Sequence, residues 1–212
     1  MLMVASCDSG PTAAIDVKQR LLGNWYLISV KNFTTKYTFI SIRSDGNCYY
    51  SSSPIVDENS YRCFWNCSRS NTFRLYSNSA EENYSFTLEF AVNDDLILNS
   101  GNATCIYRRY QNERDLEMTY RVMGFWQLID ATDATLRRCA YLEVDFSGQG
   151  RAYDANLLQI ATFSCLGADQ SVTLFFDQQV ENLTLTATID DKGLLQCTTS
   201  DGQALGSYTR SR

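Results

Sequence analysis

The sequence predicts an all-β chain: two tandem, small, antiparallel up-and-down β-barrels, each preceded by a short helical turn. Three observations predict it. First, Leu22-Gly23-Asn24-Trp25-Tyr26-Leu27-Ile28 recurs as Met123-Gly124-Phe125-Trp126-Gln127-Leu128-Ile129, a shift of 101 residues in a chain of 212. Second, short period-two stretches alternate with turn residues, and no sustained helical periodicity intervenes. Third, 13 Tyr and 11 Phe, together with frequent Thr, Val and Ile, favour strands over helices.

Residues 1–14 read as an anchor remnant and a flexible tether. Val4-Ala5-Ser6-Cys7 looks like a bacterial lipobox: small residues that a signal peptidase can reach, then a thiol that accepts a diacylglycerol. Only six residues precede Cys7, short of a basic and apolar leader, so a lipid anchor implies a start further upstream or a shortened chain. Asp8 to Ala14 is small and polar with Pro11, as a tether would be.

The first barrel is expected over 15–110. Ile15 to Leu22 supplies one or two helical turns before Gly23. Strands follow at Trp25–Val30, Tyr37–Arg43, from Cys48, at Tyr61–Cys67, Thr72–Tyr76, Tyr84–Val92, Leu96–Leu98 and Ala103–Tyr110. Phe86, Leu88, Phe90 and Val92 alternate with Thr87, Glu89 and Ala91, which marks one buried face. Ser44-Asp45-Gly46-Asn47 and Asn93-Asp94-Asp95 are turns. Cys48 and Cys63 stand equidistant from the intervening loop and are candidates for a disulfide across a hairpin.

Residues 111–115, all polar, read as the linker, and the second barrel is expected over 116–212. Leu116 to Met123 repeats the helical lead-in. Strands are expected at Trp126–Ile129, Cys139–Phe146, Leu157–Cys165, Ser171–Phe176, Leu183–Ile189, Leu194–Thr198 and Leu205–Thr209. The ends also match: Tyr107 maps to Tyr208 and Arg109 to Arg210, so each Trp stands 84 residues before its Arg. The cysteines do not map, so any bridges belong to each unit separately.

Gly-x-Trp on a first strand with an Arg at the end of the last strand resembles the lipocalin and wider calycin pattern, most closely the compact lipocalin-like domains of bacterial lipoproteins. The residues are Gly23-x-Trp25 with Arg109, and Gly124-x-Trp126 with Arg210. The resemblance implies that first and last strands are neighbours, that Trp25 and Trp126 plug closed ends, and that Arg109 and Arg210 lie over them as cations on aromatic faces. The units are shorter than ordinary lipocalins and lack their longer motifs. The signature residues therefore imply a fold, with no ligand named.

Little catalytic chemistry is legible. The absence of His removes Ser/His and Cys/His nucleophile systems and the usual zinc sets. The 8 Cys lack paired CxxC spacing, which favours disulfides or buried thiols over a metal site. Glu81-Glu82, Asp94-Asp95 and Asp190-Asp191 fall in or beside turns, where neighbours diverge and make poor acid/base pairs. A net charge of −6 with scattered basic residues argues against nucleic acid. Asn-x-Ser/Thr sites occur at Asn32, Asn66, Asn83, Asn102 and Asn182.

The expected function is non-enzymatic, without cofactor or metal: a lipid-anchored protein of the bacterial cell envelope, facing the periplasm or the surface, whose barrels bind a small apolar ligand. Tyr49, Trp65 and Phe86 are the candidate pocket residues. The alternative is a protein-binding module, such as an inhibitor of a secreted enzyme. Phe163-Ser164-Cys165 with Val172 to Phe176 faintly resembles bacterial lysozyme-inhibitor barrels, whose reactive Ser-Gly loop is missing here.

Overall fold

The computed structural model describes residues 17–35, 37–68, 71–77, 83–168, 170–177 and 183–211; Cys7, the 1–14 tether, Glu81, Glu82 and Asn182 lie outside them. Among the described residues, sixteen strands form two closed antiparallel barrels. In barrel 1 these are β1 (Gly23–Lys31), β2 (Phe39–Ile42), β3 (Asn47–Ser51), β4 (Tyr61–Cys67), β5 (Thr72–Tyr76), β6 (Asn83–Phe90), β7 (Leu96–Ser100) and β8 (Ala103–Tyr110). Each pairs with the next, and β8 returns to pair with β1. This is the up-and-down order that the turn-separated strands predict, and closure removes every sheet edge.

Barrel 2 repeats the order with β9 (Gly124–Ala131), β10 (Tyr141–Val144), β11 (Gln149–Tyr153), β12 (Gln159–Ala168), β13 (Ser171–Phe176), β14 (Thr184–Ile189), β15 (Leu195–Thr198) and β16 (Ala204–Ser211), the last closing on β9. Each barrel follows a short helix: α1 over residues 17–21 and α2 (Met118–Arg121). The polar stretch 111–115 is more than a tether. Asn112 caps a 3₁₀ turn (Glu113–Asp115) through a reciprocal capping box with Asp115.

Two elements of barrel 2 go beyond the strands that the sequence predicts. The strand expected from Cys139 contracts to β10, because a third helix, α3 (Ala134–Arg138), occupies the β9–β10 connection. Asp133 caps it, accepting from the Thr135 and Leu136 amides at 2.8 and 2.9 Å. The stretch Gln149–Tyr153 is a full strand, β11, whose inward positions are only Gly150 and Ala152. Such small residues give no apolar alternation to read.

The interiors follow the period-two pattern. In barrel 1 the inward positions include Trp25, Leu27, Ile40, Phe73, Leu88 and Leu96, all at most 1% exposed. In barrel 2 they include Trp126, Leu142, Phe163, Leu174, Leu185 and Tyr208, all at most 2% exposed. Barrel 2 sets small residues against large ones. Gly150 is the cross-strand partner of Phe163, and a Cβ on Gly150 would meet that ring at 2.1 Å. Gly206 likewise leaves room for Leu136 of α3.

Candidate functional site

The residues that repeat most strictly hold the two ends of each barrel. Trp25 and Arg109 are direct cross-strand partners on β1 and β8, and the guanidinium stands 4.2 Å over the indole. Trp126 and Arg210 are partners on β9 and β16, at 4.3 Å. The hydrogen bonds repeat as well. Trp25 Nε1 donates to the Leu21 carbonyl at 2.8 Å, and Trp126 Nε1 to the Val122 carbonyl at 2.7 Å. Arg109 donates to the Arg20 and Leu22 carbonyls. Arg210 donates to those of Arg121 and Met123, both at 2.7 Å. Each Arg thereby satisfies carbonyls left open where the lead-in helix ends.

The glycine of the motif is explained by the same contact. Gly23 has φ +125°, and a Cβ there would lie 2.6 Å from the Arg109 guanidinium. Gly124 has φ +110°. The clasps differ in burial. Arg109 is exposed, whereas the Arg210 side chain is 11% exposed and pairs with Glu113 at 2.6 Å. Burial lowers the Arg210 pKa, opposed by the Glu113 carboxylate.

The Tyr two residues earlier holds the other end. Tyr107 and Tyr208 point inward and are buried. The Tyr107 hydroxyl donates to the Tyr37 carbonyl at 2.8 Å, and that of Tyr208 to the Cys139 carbonyl at 3.2 Å. Both carbonyls belong to the connection between a barrel's first two strands, which crosses the mouth opposite the Trp. Burial raises both phenol pKa values well above the ordinary range. Tyr-x-Arg is therefore a double clasp, with the Arg at the closed end and the Tyr under the mouth.

Both mouths are filled. In barrel 1, Phe33 and Tyr37 from the β1–β2 connection pack edge-on against Tyr84, at 5.9 and 5.8 Å. Tyr37 also meets Tyr50 at 4.5 Å, and Phe33 meets Phe86 at 6.1 Å. In barrel 2, α3 lies over the mouth and its Leu136 is fully buried. The three candidate pocket residues do not line one cavity. Tyr49 faces outward, since its strand neighbours Cys48 and Tyr50 are the buried ones. Trp65 faces inward toward the closed end, donating Nε1 to the Arg43 carbonyl at 2.7 Å. Phe86 belongs to the mouth cluster, stacked on Tyr84 at 6.3 Å, and is the cross-strand partner of Phe73, which meets Trp65.

The expected bridge between Cys48 and Cys63 is not formed; both are free and buried, as are Cys67, Cys105, Cys139 and Cys197, and Cys165 is free and half-buried. The two are direct partners across β3 and β4. The Trp65 amide donates to the Gly46 carbonyl at 3.0 Å, which makes Cys48 and Cys63 a hydrogen-bonded pair in that ladder. Such pairs hold their side chains further apart than a disulfide favours. Burial pushes the Cys105 and Cys139 thiols up to about 11, and Cys165 and Cys197 to about 12.

Asp95 and Asp190, each from one of the acidic pairs, have local partners. Asp95 forms a two-point ion pair with Arg108, both bonds at 3.0 Å, and this guanidinium holds its carboxyl below the usual range. Asp190 accepts the Lys192 and Leu194 amides in its turn, each at 2.9 Å. Among the described residues, no three metal-ligating side chains come together, and no helix is long and apolar enough to cross a membrane.

What remains open is the outside. Asn66, Arg74, Tyr76, Asn83 and Ser85, from the outward face of β4, β5 and β6, line an open groove of about 430 Å³, together with Leu75 and Tyr84 of the opposite parity. No sequence signal marked it, because its residues alternate with core positions on three strands. No protein-family model matches the chain, and no curated protein matches it.

Proposed function

We propose that this chain is a non-catalytic, lipid-anchored protein of the bacterial cell envelope that binds a protein partner through the outer surface of its lipocalin-like barrels. The observation that carries the reading is the filled interior. Trp25 and Trp126 seal one end, Phe33, Tyr37 and Leu136 seal the other, and the side chains between them are buried. A carrier holds its ligand in a largely preformed apolar cavity, and here the protein's own side chains, aromatic in barrel 1 and mostly aliphatic in barrel 2, take up that volume among the described residues. The anchor rests on Val4-Ala5-Ser6-Cys7. Labelled palmitate should enter the full-length chain in a bacterial host and be lost in Cys7→Ala; equal labelling of both ends the anchor.

A second reading keeps barrel 2 as a carrier of a small apolar molecule. Its inward Ala152, Ala161, Ala187 and Gly206 are small, so withdrawal of Leu136 with α3 would vacate space. Titration with a fluorescent fatty acid separates the two. The outer-surface reading expects no saturable binding by the native chain. Stoichiometric uptake that Leu136→Trp blocks establishes the carrier instead.

A further inference from the structure

We propose that the outward face of β4–β5–β6 is a binding groove for an acidic saccharide, with Tyr76 as the stacking platform and Arg74 as the carboxylate clamp. The proposal goes beyond the protein partner proposed above by assigning a second, separate ligand to one face of barrel 1.

Register builds the groove. Asn66 pairs with Arg74, and Arg74 with Ser85; Tyr76 pairs with Asn83. Side chains of one parity share a face, so these five form two adjacent rows on the outside of the barrel. Among the described residues, Asn66, Arg74, Asn83 and Ser85 make no side-chain hydrogen bond or ion pair. Among the described residues no carboxylate pairs with Arg74, in a protein of net charge −6. A second cation stands on the same outer face. Arg62 lies 4.9 Å over Phe64, and Phe64 meets Tyr76 at 5.7 Å.

The chemistry on offer is that of an acidic sugar. The guanidinium fork matches a carboxylate bidentately. The amides of Asn66 and Asn83 and the hydroxyl of Ser85 both donate and accept, as sugar hydroxyls do. Tyr76 is 37% exposed and presents a rigid ring at small entropic cost. An open groove suits a chain lying along it better than a small molecule enclosed on all sides.

Barrel 2 supplies an internal comparison. In its equivalent strands Leu166 pairs with Thr173, Thr173 with Thr186, and Phe175 with Thr184. Phe175 stands where Tyr76 stands, with 41% exposure. Leu166 replaces Asn66, Thr173 replaces Arg74, and Thr184 replaces Asn83. The exposed ring is kept in both barrels; the cation and amides are present in barrel 1 alone.

The test is calorimetric titration of the full chain with a tetrameric uronate oligosaccharide and, separately, with its methyl ester. The acid form should bind saturably. Arg74→Gln and Tyr76→Ala should each weaken it about tenfold or more, the loss of one charge-assisted contact or one platform. The methyl ester should bind no better to the native chain than the acid form does to Arg74→Gln. Phe175→Ala should change affinity less than about twofold. The side chains are on the surface, so unchanged melting curves will confirm that the variants fold. Absence of saturable binding overturns the proposal, as does indifference to Arg74 and Tyr76. Inorganic sulfate binding as tightly as the tetramer and ignoring Tyr76→Ala also overturns it, by reducing the site to an anion contact. None of these failures touches the filled interior, which the fatty-acid titration reads separately.

Discussion

Arg109 faces Trp25 across the seam that closes barrel 1, its guanidinium 4.2 Å from the indole centroid, and Arg210 faces Trp126 in the same way. The two clasps share geometry and differ in burial, so they differ in worth. Arg109 is exposed, and Arg109→Ala should cost about 1 kcal/mol after solvent screening. Arg210 is 11% exposed and tied to Glu113 as well as two carbonyls, and Arg210→Ala should cost about 2 kcal/mol because it leaves a half-buried carboxylate and two carbonyls unpaired. Lysine should rescue neither, since it lacks the planar fork. Urea denaturation of each variant measures this.

Gly23→Ala should destabilise by about 2 kcal/mol, from a disfavoured φ and from displacement of Arg109. Combining it with Arg109→Ala should cost less than the sum of the two, because one contact accounts for part of both. A double-mutant cycle in urea reads the difference.

Tyr107→Phe and Tyr208→Phe each remove one buried hydrogen bond to the connection over a mouth. Each should cost about 1 to 2 kcal/mol. Hydrogen exchange should quicken at residues 32–38 for the first and at 132–140 for the second, with the closed ends unchanged.

Acid should weaken barrel 1 through Asp95. Its folded pKa lies below the unfolded value of about 3.9, mainly because of Arg108. The ion pair therefore contributes fully above that unfolded value, and its contribution is lost as pH falls through the folded pKa. The difference in melting temperature between wild type and Asp95→Asn should be largest at neutral pH and shrink toward pH 3. A difference that grows on acidification contradicts the assignment.

Leu157 sits at φ +62° in the β11–β12 turn and is 57% exposed. The same turn bonding in the β10–β11 connection places Gly148 at that position: the Gly148 amide donates to Asp145, as that of Leu157 donates to Asp154. Leu157→Gly should stabilise by about 1 kcal/mol by relieving left-handed strain. A lower melting temperature for the variant would contradict it.

The architecture was legible because closure reuses residues. A Trp on the first strand and an Arg on the last must meet if the barrel closes, and two equal Trp-to-Arg intervals carry that information in sequence. The mouth was less legible. Tyr-x-Arg stood out for its spacing, but the carbonyls that Tyr107 and Tyr208 reach are backbone groups without residue identity. The direction of Tyr49 was hidden because Cys48, Tyr49 and Tyr50 are all apolar, and only pairing with Ile42 and Ser41 decides which faces inward. α3 was hidden by its length: Asp133 is an N-cap and Arg137 and Arg138 fall in its last turn, but five residues are too few to show a helical period. The groove around Arg74 was invisible for a related reason: three strands contribute to it, and register alone brings them together.

Native mass spectrometry of the protein isolated from its own host tests the filled-barrel claim most directly. The mass should equal that of the polypeptide with any covalent lipid, and no apolar small molecule should be released on unfolding. One stoichiometric apolar molecule per barrel, released with denaturation, would contradict it.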